Sequence, residues 1–259
     1  MIARALTIAG SDPTGGAGIQ QDLKTFAALG VWGLSAVVAL TVQDTHGVST
    51  WEPVEASTVR GQIDAVLNDI GCDAAKTGML GTAENVEAVA KAIIDHSIHA
   101  LVVDPVLKAG GGAPLADQGF LEVLRELLLP HATLITPNAG EAAAITGLAV
   151  ETLDEQKEVA VALAAMGPDA VLVTGGHIEG PRVTDILFAG GEVYELRSDR
   201  LDAGDVHGTG CALSAAITAG LAKGSSIEEA VRTARRAVVD AIARARRLGK
   251  GAAMLEVRA

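Results

Sequence analysis

The sequence predicts an α/β fold in which helices flank a central, mostly parallel sheet, with an antiparallel hairpin at one edge. Short apolar runs alternate with longer amphipathic segments along the chain, which is the pattern of repeated strand and helix units. Residues 183–202 depart from it, because apolar and polar residues alternate there on both sides of Gly190 and Gly191. That segment is typical of a β-hairpin.

The individual elements follow from this rhythm. Strands are predicted in the segments ALTIAG, LSAVVAL, AAKTGM, ALVVDPV, TLITPN and AVLVTGG. Helices are predicted over 18–29, 56–70, 82–95, 117–128, 153–166, 208–222 and 226–247. The chain contains no linker, low-complexity tract or internal repeat, so we expect residues 1–259 to form a single domain.

The composition excludes several classes of protein. The net charge of -12 and the 2% of aromatic residues argue against nucleic-acid binding, although basic residues cluster at 243–250. The apolar run at the start of the chain is short and ends in Gly-Ser-Asp, as a first strand does, and no run approaches a membrane span. Cys72 and Cys211 fit no metal-ligand spacing, so we expect a reducing, cytoplasmic compartment.

Polar residues and glycines follow most of the predicted strands. In open α/β sheets, ligands bind beyond the carboxyl ends of the strands, so these positions predict one small-molecule site. They are Gly10-Ser11-Asp12, Thr41-Val42-Gln43, Gly78-Met79, Asp104-Pro105, Thr136-Pro137-Asn138 and Thr174-Gly175-Gly176.

The first of these loops, GSDPTGGAG at residues 10–18, lies between a strand and a helix. It does not have the G-x-G-x-x-G spacing of dinucleotide-binding proteins, and no acidic residue ends the second strand about twenty positions further on. A purely structural glycine turn remains an alternative. We favour a loop that lets the backbone approach a small substrate closely.

Three further side chains have two interpretations each. Gln43 ends an apolar strand, where its amide could hydrogen-bond a heterocycle or cap the next turn. Asp104 and Glu141 follow neighbouring strands, where two carboxylates could hold Mg2+ against a polyphosphate. Either carboxylate could instead cap a helix.

The segment HGTGCALSAA predicts an anion site at a helix start. The backbone amides of Gly208 to Cys211 would point out of the helix N-terminus, where a transferring phosphoryl group is stabilised. The same position should lower the pKa of the Cys211 thiol and make it a proton acceptor. The alternative is a small residue that packs the helix start. His177 and His207 lie in candidate site loops, but the histidines form no metal-spaced set.

Taken together, these motifs resemble the bacterial hydroxymethylpyrimidine/phosphomethylpyrimidine kinases of thiamine biosynthesis, in the ribokinase-like superfamily. The resemblance covers essentially the whole chain and is strongest in residues 9–33, in ALTVQDTHGV, in KTGML and in HGTGCALSAAI. It implies a ribokinase-like three-layer sandwich, commonly a homodimer. It also implies phosphorylation of 4-amino-5-hydroxymethyl-2-methylpyrimidine, and then of its monophosphate, with ATP and Mg2+.

The resemblance also implies roles for individual residues. Gln43 would hydrogen-bond the aminopyrimidine, in a substrate pocket that Gly10, Asp12, Met79 and Val106 complete. Cys211 would be the base, and Gly208, Thr209 and Gly210 would stabilise the phosphoryl group. Asp104 and Glu141 would organise Mg2+, while Asn138, Thr174 and Gly176 would face ATP.

One departure from the family pattern concerns charge. Thr174 occupies the position where the family usually has a lysine directed at the phosphates, so that positive charge is missing. Three other functions remain open: a pyridoxal or pyridoxine kinase of the same fold, a non-catalytic protein that binds the pyrimidine or a nucleotide, and a transferase that uses Cys211 as nucleophile.

Overall fold

A computed structural model describes residues 2–109, 111–176 and 180–258. Its main feature is a nine-stranded sheet with the order β3-β2-β1-β4-β5-β6-β7-β8-β9. Six neighbouring strands of this sheet are parallel, which confirms the predicted mostly parallel sheet; they are β2, β1, β4, β5, β6 and β7. The strands are β1 (Arg4–Ser11), β2 (Trp32–Asp44), β3 (Gly47–Pro53), β4 (Ala74–Thr77), β5 (Leu101–Val103), β6 (Leu134–Ile135), β7 (Ala170–Val173), β8 (Arg182–Ala189) and β9 (Glu192–Asp199).

Both edges of the sheet are antiparallel. The predicted hairpin is confirmed as β8 and β9, which pair from Arg182 with Asp199 to Ala189 with Glu192. The opposite edge is a second hairpin of β2 and β3, which the sequence pattern did not predict. Most of β3 is solvent-exposed, so it lacks the apolar run that marks the buried strands.

Helices cover both faces of the sheet and complete the three-layer sandwich. Apolar residues of α1, α7 and α8 pack on one face, and those of α2 to α6 pack on the other. The helices are α1 (Gly18–Ala28), α2 (Ala56–Asp69), α3 (Ala83–Asp95), α4 (Phe120–Val123), α5 (Ala139–Thr146), α6 (Leu153–Ala164), α7 (Thr209–Ala222) and α8 (Ile227–Ala243). No helix in the described ranges is long and apolar enough to cross a membrane.

Two of the predicted helices differ in extent from those of the structure. The helix predicted over 117–128 begins only at Phe120, after Gly119 in a left-handed conformation, and continues as a π-helical turn over 124–128. The last helix ends at Ala243 rather than at 247, because the chain turns back and Arg246 bridges Met254. That return forms β11 (Ala253–Met254), which pairs with β10 (Val206–His207).

A fully buried ion pair lies in the core. Lys76 of β4 and Asp22 of α1 have no exposed side-chain surface, and the Lys76 Nζ lies 3.0 Å from both carboxylate oxygens of Asp22. Thr7 of β1 donates its hydroxyl to the same carboxylate at 2.6 Å. This polar network therefore joins β4, α1 and β1 beneath the carboxyl edge of the sheet.

We predict that Lys76→Met strongly destabilises the fold. The variant leaves Asp22 buried without its cation, and breaking such a pair costs about 3–5 kcal/mol. Urea unfolding measures the effect. Lys157→Met is the control, because Lys157 forms ion pairs at the surface and its loss costs at most about 1 kcal/mol. Equal destabilisation by the two variants would contradict the prediction, whereas Lys76→Met combined with Asp22→Leu should recover most of the loss.

Candidate active site

The loop after β1 is organised by its own aspartate. The Asp12 side chain is almost fully buried, and its carboxylate accepts hydrogen bonds from the amides of Thr14 at 2.8 Å, Gly16 at 3.1 Å and Ala17 at 2.8 Å. Burial raises the pKa of Asp12, but its hydrogen bonds, including one with His207, outweigh burial and lower it. Asp12 therefore shapes the loop through an ionised carboxylate that the loop's own donors occupy.

An apolar cluster lies beside this loop. A Cβ atom on Gly10 would lie 3.1 Å from the Met79 Sδ, so only glycine leaves the space as it is. Met79 packs with Ala39 and Leu115, and Val106 lies against the same cluster. Gly10, Met79 and Val106 are thus brought together, as the resemblance implied.

Gln43 lies near the end of β2, within reach of the segment that precedes α7. Its Nε2 is 2.7 Å from the His207 Nε2, and the same histidine nitrogen is 3.3 Å from the Asp12 Oδ2. The Gln43 Oε1 is 3.3 Å from the Thr41 hydroxyl. Gln43 and Asp12 therefore share His207 as a neighbour.

Helix α7 begins at a tightly packed glycine. Gly208 is the N-cap with a φ of +80°, and a Cβ on it would lie 1.8 Å from the Gly16 carbonyl oxygen. The first intrahelical bond runs from the Ala212 amide to the Gly208 carbonyl. The amides of Thr209, Gly210 and Cys211 therefore open at the helix start and are available to an anion.

The prediction of a lowered thiol pKa at Cys211 is wrong for this structure. Desolvation raises the pKa of Cys211 to about 12, although Lys76 and a hydrogen bond from the Gly18 amide act in the opposite direction. The residue as a whole is partly exposed, but its sulfur lies in a dry environment. The cost of desolvation exceeds what Lys76 and the Gly18 amide provide to the thiolate.

Asp104 and Glu141 form a buried acidic pair. They are 5% and 9% exposed, and burial together with the charge of Asp104 raises the pKa of Glu141 to about 8. The Asp104 Oδ2 accepts a hydrogen bond from the Ser214 hydroxyl of α7 at 3.0 Å. Two carboxylates that repel each other in a buried place fit a divalent cation, which relieves their repulsion.

Glu141 and Asn138 also cap α5. The Asn138 Oδ1 accepts from the Glu141 amide at 3.0 Å, and a Glu141 oxygen accepts from the Asn138 amide at 2.9 Å. The capping alternative for Glu141 is therefore confirmed, and the side chain also faces Asp104. Within the described ranges, no group of three or more His, Cys, Asp or Glu side chains could hold a metal ion. Phosphate oxygens would have to supplement the two carboxylates.

The other residues predicted to face ATP lie at the ends of adjacent strands. Thr174 bridges Asn138, and its amide donates to the Pro137 carbonyl at 2.9 Å. Gly176 is exposed, and its carbonyl accepts a hydrogen bond from Arg200 at 2.9 Å. Asn138, Thr174 and Gly176 thus border one part of the sheet edge. His177 lies outside the described residues.

Sequence reasoning missed Lys76 and the neighbours of His207. Lys76 lies in a strand that reads as apolar, and only a lysine within AAKTGM signals an unusual buried charge. His207 was placed in a site loop, but nothing in its sequence neighbourhood indicates Gln43 or Asp12 as its neighbours.

Comparison with known proteins identifies the family. Residues 12–256 match the family model described as phosphomethylpyrimidine kinase. The chain belongs to this family. The resemblance inferred from the motifs is therefore confirmed, and curated relatives are named as kinases, which confirms the predicted class of enzyme.

Relatives of the chain include a hydroxymethylpyrimidine/phosphomethylpyrimidine kinase of Streptomyces coelicolor. It is 48% identical over 248 residues, which cover 95% of this chain and 91% of the relative. A solved phosphomethylpyrimidine kinase from Clostridium difficile is 38% identical with a TM-score of 0.82, covering 93% and 99% of the two chains. An ADP complex of Bacillus subtilis pyridoxal kinase is 36% identical with a TM-score of 0.91, covering 99% and 98%.

We predict that Glu141 makes stability depend on pH when no divalent cation is added. Its pKa in the folded chain is about 8, against 4.5 for the ordinary group, so the folded chain holds the proton more tightly. The free energy of unfolding should therefore fall as the pH rises from about 4.5 to about 8 and then level off. Urea unfolding across this range should show a smaller fall in Glu141→Gln.

Glu155→Gln is the control for this effect. Glu155 makes the same kind of capping box at the start of α6, but at the surface, where hydrogen bonds from the amides of Glu151 and Thr152 lower its pKa. The stabilisation that Glu155 provides should be lost as the pH falls, whereas that from Glu141 is lost as the pH rises. If the free energy of unfolding falls with rising pH by the same amount in the wild type and in Glu141→Gln, the assignment to Glu141 is contradicted.

Proposed function

We propose that the chain phosphorylates 4-amino-5-hydroxymethyl-2-methylpyrimidine with ATP, first to the monophosphate and then to the diphosphate, in thiamine biosynthesis. One observation carries the proposal. The contacts of His207 and Asp12 join the polar end of β2, where Gln43 lies, to the loop that starts α7. A heterocycle held at Gln43 would thus be placed beside the helix amides that suit a phosphoryl group.

The substrate pocket would combine an apolar wall with one polar edge. Gly10, Met79 and Val106 provide the wall, on which a flat methylated ring would pack. The Gln43 amide would pair with a ring nitrogen and the amino group. Asp12 was expected to bind substrate as well, but its carboxylate is occupied by the loop amides, so we assign it the task of holding the loop in shape.

Transfer would take place at the start of α7. The amides of Thr209, Gly210 and Cys211 would receive the phosphoryl oxygens, and Gly208 permits the backbone turn that aims them. Asp104 and Glu141 would hold Mg2+, which supplies positive charge to the polyphosphate. Proximity and charge do most of the work in phosphoryl transfer, so the chain needs little covalent chemistry of its own.

We assign Cys211 as acceptor of the substrate hydroxyl proton. A thiol with a pKa near 12 is a strong base once ionised but is seldom ionised at neutral pH, so the role depends on groups that favour the thiolate. Lys76 and the Gly18 amide do so. The same high pKa disfavours a transferase that uses Cys211 as nucleophile, because the thiolate is the nucleophilic form.

ATP would lie along the ends of β6 and β7. The Asn138 Oδ1 caps α5, so its Nδ2 group is the part that could donate to a phosphate. Thr174 and Gly176 would complete this side. A structural neighbour that was solved as an ADP complex supports nucleotide binding by this fold. Thr174 is neutral where the family usually has lysine, so Mg2+ would have to supply more of the charge on the phosphates.

We further propose a cytoplasmic homodimer. Both cysteines, Cys72 and Cys211, are free thiols, which suits a reducing compartment. Leu40 and Val42 project from the same face of β2 with 57% and 62% of their surface exposed. A second copy of the chain would cover such an apolar surface.

Pyridoxal is the second candidate substrate, because a pyridoxal kinase has a TM-score of 0.91 with this chain. Its ring also carries a hydroxymethyl group, but the amide of Gln43 suits an aminopyrimidine better.

The decisive test supplies purified protein with ATP, Mg2+ and either the aminopyrimidine or pyridoxal, and separates mono- from diphosphate. We expect kcat/KM for the aminopyrimidine to exceed that for pyridoxal by at least about tenfold, since a polar edge left unpaired costs about 1–3 kcal/mol. Preference for pyridoxal would overturn the assignment, and absence of ATP-dependent product from both substrates would favour a binding protein.

The role of Cys211 can be tested with three substitutions. Cys211→Ala and Cys211→Ser should lose most turnover, by roughly a hundredfold, because each removes the proton acceptor. Cys211→Asp should retain part of it, since a carboxylate can also accept the proton. All should keep the fold and ATP binding, and Cys72→Ala should behave as wild type. Unchanged turnover in Cys211→Ala would eliminate the role.

A further inference from the structure

We propose that His207 is a positioning residue that sets the direction of the Gln43 amide and thereby the order of donor and acceptor that the site offers to a heterocycle. The inference rests on the proposed function, in which Gln43 pairs with the substrate. It starts from two distances: the His207 Nε2 is 2.7 Å from the Gln43 amide and 3.3 Å from the Asp12 carboxylate.

The imidazole is held firmly enough to act in this way. His207 ends β10, where it pairs with Met254 of β11. A Cβ on Gly16 would lie 2.7 Å from the His207 Cδ2 and 2.4 Å from the Met254 Sδ, so the ring is packed between the first loop and the end of the chain. Its side chain is 18% exposed. The ring nitrogen therefore has a fixed position relative to Gln43.

The His207 Nε2 either carries a hydrogen and donates or lacks one and accepts, so its contact with Asp12 restricts its contact with Gln43. Asp12 is ionised and can only accept, so its contact requires that the His207 Nε2 carries a hydrogen. A nitrogen that carries a hydrogen cannot accept from an amide NH2. The Gln43 atom that faces His207 must therefore be the carbonyl oxygen, which exchanges the oxygen and nitrogen positions without changing the shape of the side chain.

Thr41 requires the same direction independently. Its hydroxyl donates to the Ser11 carbonyl at 2.9 Å and also lies 3.3 Å from the Gln43 amide. A hydroxyl has a single hydrogen, so an oxygen that already donates to Ser11 can only accept from Gln43. The amide NH2 therefore faces Thr41, and the carbonyl faces His207.

This arrangement leaves one oxygen lone pair and one N–H of Gln43 for a ligand, side by side. An aminopyrimidine matches them with its amino group and the adjacent ring nitrogen. The 4-oxo analogue presents the reverse order, with a ring N–H beside a carbonyl. Gln43 would have to turn over to bind it, and would then lose its bonds to both His207 and Thr41. Such mismatches cost about ten- to hundredfold in discrimination.

The test compares kcat/KM for the aminopyrimidine and for its 4-oxo analogue. We expect wild type to prefer the amino compound at least tenfold, and His207→Leu to lose most of this preference through a higher KM. The KM for ATP and the thermal midpoint should not change. His207→Gln should restore most of the preference, because its amide nitrogen replaces Nε2 as a donor. His131→Leu is the control, since His131 is exposed and far from these loops in the sequence.

Two further variants keep the test decisive if His207→Leu folds poorly. Thr41→Val removes the other inner partner from a different element and should also reduce the preference. In a double-mutant cycle, His207→Leu should have no further effect on preference in a Gln43→Ala background, because it acts through Gln43.

The outcomes separate the two proposals. An unchanged preference in both His207→Leu and Thr41→Val would overturn the positioning role, as would equal losses for both substrates. Independent effects in the double-mutant cycle would also overturn it. Wild type that phosphorylates the aminopyrimidine but shows no preference over the 4-oxo compound would refute this inference alone. Failure to phosphorylate either pyrimidine would refute the proposed function itself.

Discussion

The buried ion pair of Lys76 and Asp22 is the interaction on which the site depends. It joins β4 to α1 below the carboxyl edge of the sheet, and Asp104 and Cys211 lie within the influence of the same ammonium group. Burial lowers the pKa of Lys76, but the attraction of these groups outweighs burial and raises it. The charge is therefore permanent, and it partly balances a site in which two carboxylates repel each other.

The carboxylates of the candidate site are held in place by hydrogen bonds before any ligand binds. Glu141 is held by its cap, Asp12 by the loop that it organises, and Asp104 by Ser214. Each carboxylate thus has a fixed position. Such preorganisation removes much of the reorganisation that phosphoryl transfer would otherwise require.

Much of the fold and part of the site could be predicted from the sequence. Parallel strands are buried on both faces and read as apolar runs, and the glycine pair at 190–191 marks its hairpin directly. Gly10, Gln43 and Met79 could be placed because strand ends meet at one edge. The edge strand β3 was not predicted, because most of its residues are exposed and it therefore lacks the apolar run of a buried strand.

Other features depend on tertiary surroundings that a linear pattern does not contain. The thiol of Cys211 illustrates this: a helix N-terminus alone predicts a lowered pKa, but burial of the thiol in the folded chain raises it. The neighbours of His207 and the partner of Lys76 are likewise set by chain reversal. Local propensity carries no record of such contacts.

The contact of Gly208 with Gly16 also constrains the order in which the enzyme can assemble. His207 and Asp12 are 195 residues apart in the chain, and beside them the backbones of Gly208 and Gly16 meet without room for a side chain. Contacts of such long range pay a large loop-closure entropy and form late in folding. During synthesis, the site at the first loop and the end of β2 can therefore be completed only after nearly the whole chain has been made. A shortened chain that ends before α7 contains all nine strands of the main sheet but no finished binding site.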